Sequence, residues 1–490
     1  MNQQEKTEPK LLPRDKLLRD TFTPADAQLC AVIILTTTVT FWLADPRSYW
    51  GLDFLMIIGG ICPFILKTHE RTHPFFIDTL WPKFWLYSSP IWSFLLLFAV
   101  GMLQNPLQPM TIGEVDYLTI QPVNKWLPVS TISSTTWVTV LSYCAMYLIT
   151  LNLYLIPKSR AFFEKLLPWL CFSAVLTGIF GYIQKTLNFQ NPLFTKGTGA
   201  SDFFSFFPYD GHWAAFAIIW CGVCTSMTLL SARYDDSPDF IESTGPWYLT
   251  GAVLLGGSGF VIEARWPAVT LLICLSIMLL LVAAHFVKQS KDPHRSAIAA
   301  LCGLLASIAF ATSIFRCFQS DPHTESAKAL HQAALDMFQS SPIFGWGMDS
   351  FAQLAPFYLD DTLLGARYDR AASDVLQLFA EVGIVGTVVP VVILGILMFQ
   401  YVISKWDVLL TNHLLIGCAG VAVLAFLDTP FMSPAVFISF FTIIFSALRW
   451  AVLSRSKVDE VDAVARPTLV SPEAERNVPF FTDEYKETEK

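Results

Sequence analysis

The chain has 490 residues, of which 53% are hydrophobic and only 15% charged, with a formal net charge of −8. Soluble domains carry about a quarter charged residues, so composition excludes an ordinary soluble enzyme. No basic stripe suits a nucleic acid, which removes that class of partner.

Residues 1–25 form a polar tail of mixed charge. It lacks the short apolar segment and small-residue cleavage site of a secretory signal, so the first apolar run is expected to stay as an anchor. Apolar runs follow near 26–44, 52–66, 86–104, 137–156, 166–183, 213–230, 247–262, 268–287, 297–315, 376–402, 413–427 and 434–453. A hydrocarbon core of about 30 Å takes roughly 20 residues of helix, and backbone groups inside it must pair within the segment. The expectation is therefore an all-α, polytopic membrane bundle of about twelve helices over 26–453. Residues 454–490 are polar and Glu-rich, and a disordered tail is expected there.

Charge sets the orientation. With the N-terminus in the cytoplasm, Lys and Arg are more than twice as dense in the inner loops as in the outer ones, as the positive-inside rule requires. An even number of spans places both tails inside. Nine of the ten cysteines fall in apolar runs, and Cys317 sits at a helix edge. Scattered cysteines of this kind are packing residues. Cys221 and Cys224 form a CxxC without a nearby His or third Cys, so neither a redox nor a metal centre is expected.

Three outer segments, 105–136, 184–212 and 316–375, are too long for plain connectors. The third contains an amphipathic stretch, Ser326 to Ser340, in which Leu330, Ala334, Met337 and Phe338 share one helical face. Pro342 and Gly345-Trp346-Gly347 end it. Such a helix lies on the membrane surface or caps the bundle.

Three groups of residues carry chemistry. Arg265 lies between two apolar runs with almost no loop, where a guanidinium suits phosphate oxygens. A snorkelling arginine paired with Glu263 is the structural alternative. Asp210-Gly211-His212 opens the sixth run after Phe203, Phe204, Phe206, Phe207 and Tyr209. His212 suits a base or a proton carrier, while an interfacial aromatic belt accounts for the rings without any site. Arg367, Asp369, Arg370, Asp374 and Glu381 gather at the entrance to the tenth run. They are bases or cation ligands, or loop charges that pair with one another.

The segment Pro342-Ile343-Phe344-Gly345-Trp346-Gly347-Met348-Asp349-Ser350-Phe351 resembles the Pro-Leu-x-Gly-x-Gly-x-x-x-Phe signature of the bacterial O-antigen ligase and polymerase family. Ala371 to Gly386 is similar to that family's Ala-His-Asn-x-Tyr-Leu-Gln-x-x-x-Glu-x-Gly-x-x-Gly, and Ala264-Arg265-Trp266 falls where the family has Ser-Arg-Gly. The resemblance covers roughly 200–400.

It implies a bacterial inner-membrane protein that moves a glycan from a polyprenyl diphosphate to the hydroxyl of a lipid or glycan acceptor on the periplasmic face. No metal or cofactor is implied. Arginines would steady the leaving diphosphate, and a base would activate the acceptor. On this resemblance Arg265, Lys328, Arg367, Arg370, His212 and Glu381 are candidate substrate ligands.

The sequence departs from the pattern at one place. The family histidine aligns with Ala372 and the following Asn with Ser373. Asp374 is the nearest replacement base, with His331 and His212 as alternatives. A lipid-linked glycan transporter and an inactive scaffold for polysaccharide assembly also stay open. The halves of the chain do not match as transporter repeats often do.

Overall fold

The computed structural model describes residues 24–43, 53–61, 81–112, 115–120, 124, 126–131, 133–157, 159–189, 203–234, 240–288, 293–319, 324–359, 368, 370–403 and 409–465. The N-terminal tail, Arg367, Asp369 and residues 466–490 lie outside them.

The helices are α1 (Pro24–Leu43), α2 (Trp81–Tyr87), α3 (Ser89–Gly101), α4 (Ser133–Leu155), α5 (Ala161–Thr186), α6 (Asp210–Tyr234), α7 (Gly245–Gly257), α8 (Arg265–Lys288), α9 (Pro293–Cys317), α10 (Thr324–Ser340), α11 (Asp374–Ile403), α12 (Leu409–Leu424) and α13 (Pro434–Ala465). Among the described residues, eight helices are long and apolar enough to cross a membrane. A ninth span is counted if α2 and α3, bent by 52°, act as one. The protein is a multi-pass membrane protein built from helices.

Of the twelve runs expected to span, eight or nine qualify by helix length and composition among the described residues. The runs 247–262 and 413–427 fold as the short helices α7 and α12, and of 52–66 only 53–61 is described. The chain is also not wholly helical. Leu107–Ile112 (β1) and Val115–Ile120 (β2) pair as an antiparallel hairpin in the first long segment. The tail beyond 453 starts as helix, because α13 continues to Ala465.

Helix α6 is the axis of the bundle. Of its apolar window 89% is buried, against 28% for α9. It packs on α5, α7, α8, α12 and α13. Small residues allow the close crossing with α12, since a Cβ on Gly222 would lie 3.3 Å from the Cα of Gly417. Polar side chains in this dry interior find partners. The Trp220 indole donates to Ser439 Oγ at 3.1 Å and the Trp213 indole to Ser258 Oγ at 2.8 Å. Phe203, Phe204, Phe206 and Phe207 are buried, with Phe204 stacked on Trp213. They are core residues rather than the interfacial belt that a membrane-edge aromatic run suggests.

A second, smaller core caps one end of the bundle. Leu330, Ala334 and Met337 of α10 meet Trp346, Phe351, Leu354, Ala371, Ala380 and Leu107 of the hairpin. The face read from the sequence is thus the buried face of α10, and it caps α11. Gly345 and Gly383, both with positive φ, let the 342–347 turn dock on α11. Gly383 breaks α11 (φ 62°, ψ −166°), and a Cβ there would lie 2.5 Å from Ile343 O. The freed amides of Ile384 and Val385 donate to Pro342 O and Ile343 O instead. Trp346 and Gly347 in turn donate to Ala380 O and Glu381 O.

Candidate functional site at the capped end

The N-termini of α6, α8, α11 and α13 and the C-terminus of α9 meet below the cap, joined by hydrogen bonds from chain segments far apart in sequence. Asp210, the first residue of α6, accepts the backbone N–H groups of Glu263 (2.6 Å) and Ala264 (3.1 Å) through Oδ2. These amides immediately precede Arg265, so Asp210 fixes the turn that presents it. Arg265 donates from Nη2 to Cys317 O at 2.8 Å. Its Nε–H is buried with no hydrogen-bond partner among the described residues, and its guanidinium lies 4.7 Å from the centroid of Trp266. Arg316 completes a reciprocal clamp, donating to Ile262 O at 2.6 Å and Phe260 O at 3.0 Å. Glu263 pairs with Lys185 at 3.9 Å, so the Arg265–Glu263 pairing considered from the sequence is replaced by these contacts.

The second half of the site lies across Gly211. Arg370 Nη1 is 3.1 Å from His212 Nε2, and its guanidinium sits 5.2 Å from the centroid of Tyr209. The same His212 nitrogen is 3.0 Å from Thr429 O. Tyr209 donates its hydroxyl to Asp428 Oδ2 at 2.8 Å. A Cβ at position 211 would overlap both Tyr209 and Asp428, which explains the glycine between Asp210 and His212. Burial holds the Tyr209 phenol well above the usual tyrosine range, so it stays a donor. Burial also raises the Asp428 carboxyl above its ordinary 3.8.

Asp374, the first residue of α11, accepts the Phe431 N–H through Oδ2 at 2.5 Å and donates its own N–H to Asp428 O at 3.1 Å. Arg370 is near enough for its charge to act on both carboxylates. Asp374 also lines an apolar cavity of about 360 Å³, walled by residues such as Ile91, Phe94, Tyr143, Leu394 and Phe437.

Two further candidates are held differently. Glu381 is tied down by the N–H groups of Asp349 (2.9 Å) and Phe351 (3.3 Å) and by the Gln377 amide (3.0 Å), so it orders the turn below α10. Lys328 is exposed on α10. His331 reaches the site differently: its Nε2 lies 3.0 Å from the carbonyl of Ala372, a residue held at φ 56°.

Sequence reasoning brought Arg265, His212, Arg370 and Asp374 to one end of the bundle. It missed Arg316, and also Tyr209, read as one ring of a belt. Asp428 was likewise not among the candidates. A pattern for Tyr209 existed in its position three residues before His212.

No curated protein matches the chain. Residues 243–391 match the O-antigen ligase family. That stretch contains Arg265, the 342–351 turn and the 371–386 segment on which the resemblance was drawn. The chain carries a domain of the O-antigen ligase family, set in a multi-pass membrane bundle.

Proposed function

We propose that the protein transfers a glycan from a polyprenyl diphosphate donor to an acceptor hydroxyl, on a lipid or on another glycan, at the capped end of the bundle. In this reading the capped end faces the periplasm of a bacterial cell, and both chain termini lie in the cytoplasm. The cation bias of the loops supports that orientation. Residues 26–453 act as the membrane domain, with 316–375 as its large external segment.

The observation that carries the reading is the position of Asp374. Its side chain lines the apolar cavity and is within reach of the Arg370 charge. A polyprenyl chain needs an apolar wall, its diphosphate needs cations, and the acceptor hydroxyl needs a base. This junction supplies all three within one set of hydrogen-bonded residues. Asp374 takes the hydroxyl proton as the acceptor oxygen attacks the anomeric carbon. The bond from that carbon to the diphosphate breaks, and the electron pair leaves on the diphosphate. Arg370 and Arg265, with its spare Nε–H, balance the charge that develops there. Lys328, exposed on α10, would meet the donor on its outer approach, and Glu381 acts through the turn it holds.

The test is release of free polyprenyl diphosphate from a lipid-linked glycan by the purified full chain, with the glycan recovered on the acceptor. Asp374→Asn and Arg265→Ala should both stop release. Ala372 in place of the family histidine favours one other reading, an inactive member that scaffolds polysaccharide assembly. Absence of release from folded wild-type protein would select that reading. Movement of the donor across a vesicle wall without transfer would select a transporter.

A further inference from the structure

The His212–Arg370 contact contains a conflict of donors. The Nε2 atom of His212 lies 3.1 Å from Arg370 Nη1, which only donates, and 3.0 Å from Thr429 O, which only accepts. One ring nitrogen cannot serve both. With its lone pair on Nε2, the imidazole accepts from Arg370 and leaves the Thr429 carbonyl to the long bond from Met432 N–H at 3.4 Å. With a proton on Nε2, it donates to Thr429 O and can no longer hold the guanidinium. If both ring nitrogens are protonated, two cations also face each other at this distance and repel.

We infer that His212 and Arg370 form a proton-operated latch, in which a neutral imidazole with a bare Nε2 holds the arginine and proton uptake at Nε2 hands it to an anionic diphosphate. The inference rests on the proposed role of Arg370 as a diphosphate ligand and adds its control. The latch is built into the frame of the site. His212 is 5% exposed and starts the most buried helix of the bundle, while Arg370 belongs to the segment leading into α11 and is half-buried. The arginine is therefore partly open to solvent while the imidazole is enclosed.

The charged and titratable groups around the imidazole leave the latch in command. Tyr209, ring to ring with His212 at 5.2 Å, is bound to Asp428. Asp210 on the same helix is engaged with the Glu263 and Ala264 amides. Asp374 is engaged with Phe431 N–H. Arg370 is the cation in direct contact, so a change of charge on Nε2 is felt first by it. The proton comes from solvent and returns to it when the arginine closes again, so each cycle is neutral overall. Acidification and anion binding thus favour the same state.

The experiment measures binding of a glycan-free polyprenyl diphosphate to the full chain in detergent, between about pH 5.5 and 8, the range where histidines titrate. Wild-type affinity should rise on acidification on the order of tenfold, the effect of about one unit of pKa difference between the two states. His212→Gln places an amide near Nε2 that does not titrate, and its affinity should follow only the diphosphate's own titration. The difference between the two proteins reads the imidazole. Arg370→Met should bind weakly, with no added acid dependence. An acid response in His212→Gln equal to the wild type, a wild-type response no larger than the ligand's own, or no binding at any pH would overturn the latch. Turnover measured in parallel separates the latch from the chemistry: transfer by wild type with no latch signature removes the latch and leaves the transferase, whereas no transfer removes the transferase.

Discussion

The Tyr209 hydroxyl donates to Asp428 Oδ2 at 2.8 Å, across 219 positions of sequence. The bond joins the start of α6 to the segment before α13, and Arg370 lies over the ring that makes it. Tyr209→Phe would leave a buried carboxylate without one donor, at a cost of about 1–3 kcal/mol. The expected result is a lower unfolding temperature in detergent together with weaker donor binding, because the platform under Arg370 loosens.

The pH dependence of this pair has a definite sign. Burial raises the Asp428 carboxyl above its ordinary 3.8, so the folded protein binds its proton more tightly than the unfolded chain does. That stabilisation is fully present below 3.8 and is lost as pH rises through the raised folded value. Thermal unfolding of wild type and Asp428→Asn across this window checks it. The difference in stability between the two should shift in favour of the asparagine as pH rises, and a constant difference would contradict the assignment.

Gly383 and Gly395 lie on the same helix and predict opposite outcomes. An alanine at 383 forces a positive φ on a side-chain residue and drives its Cβ into Ile343 O and Gly345 N, both backbone atoms. The 342–347 turn would leave α11, with a loss of about 3 kcal/mol or more. An alanine at 395 meets nothing within 4 Å among the described residues and should leave stability near wild type. Expression level and unfolding temperature in detergent separate the two variants. Glu381→Ala should resemble Gly383→Ala in kind, since it strips acceptors from the Asp349 and Phe351 amides.

Arg265 and Arg316 answer differently to the same change. Arg265→Lys keeps a charge but loses the fork that reaches Cys317 O while leaving Nε–H over. Donor affinity should fall by about tenfold or more with the fold intact. Arg316→Lys gives up one of the two bonds to Phe260 O and Ile262 O, so its loss should appear in unfolding temperature. Donor titrations and thermal scans on both variants check the division.

Asp374→Asn is the catalytic test. The amide accepts the Phe431 N–H as the carboxylate does, so folding should persist. A lost general base lowers turnover by about 10²–10⁴-fold. Single-turnover release of polyprenyl diphosphate measures this directly, and an unchanged rate would shift the role of base to another group such as His331.

Much of this was legible in the sequence because membrane helices and glycine turns write themselves locally. The long apolar runs, the buried face of α10 and the end of that helix before Gly345 all depend on residues a few positions apart. The role of Glu381 was not legible, because its partners at Asp349 and Phe351 are defined only once the turn folds back on α11. The hairpin at 107–120 carried no apolar run to betray it, and its Leu107 is buried in a core shared with residues distant in sequence, such as Trp346 and Phe351. Likewise α7 and α12 read as spans from their hydropathy, yet they end early at Ser258 and near Ala425. The Arg265 contacts depend on a carbonyl 52 positions away, beyond the reach of any local pattern.

The bonds of Tyr209 and His212 to 428–429 also fix when the protein becomes competent. A nascent chain that has inserted α6, α8 and α11 still lacks the carboxylate for Tyr209, the carbonyl for His212 and the amide that steadies Asp374. Those three arrive together, in the short stretch between α12 and α13, after the other elements of the site have been made. Synthesis order thus makes this end of the bundle all-or-none: translation arrested before this stretch leaves Tyr209, His212 and Asp374 without the partners that hold them in the finished chain.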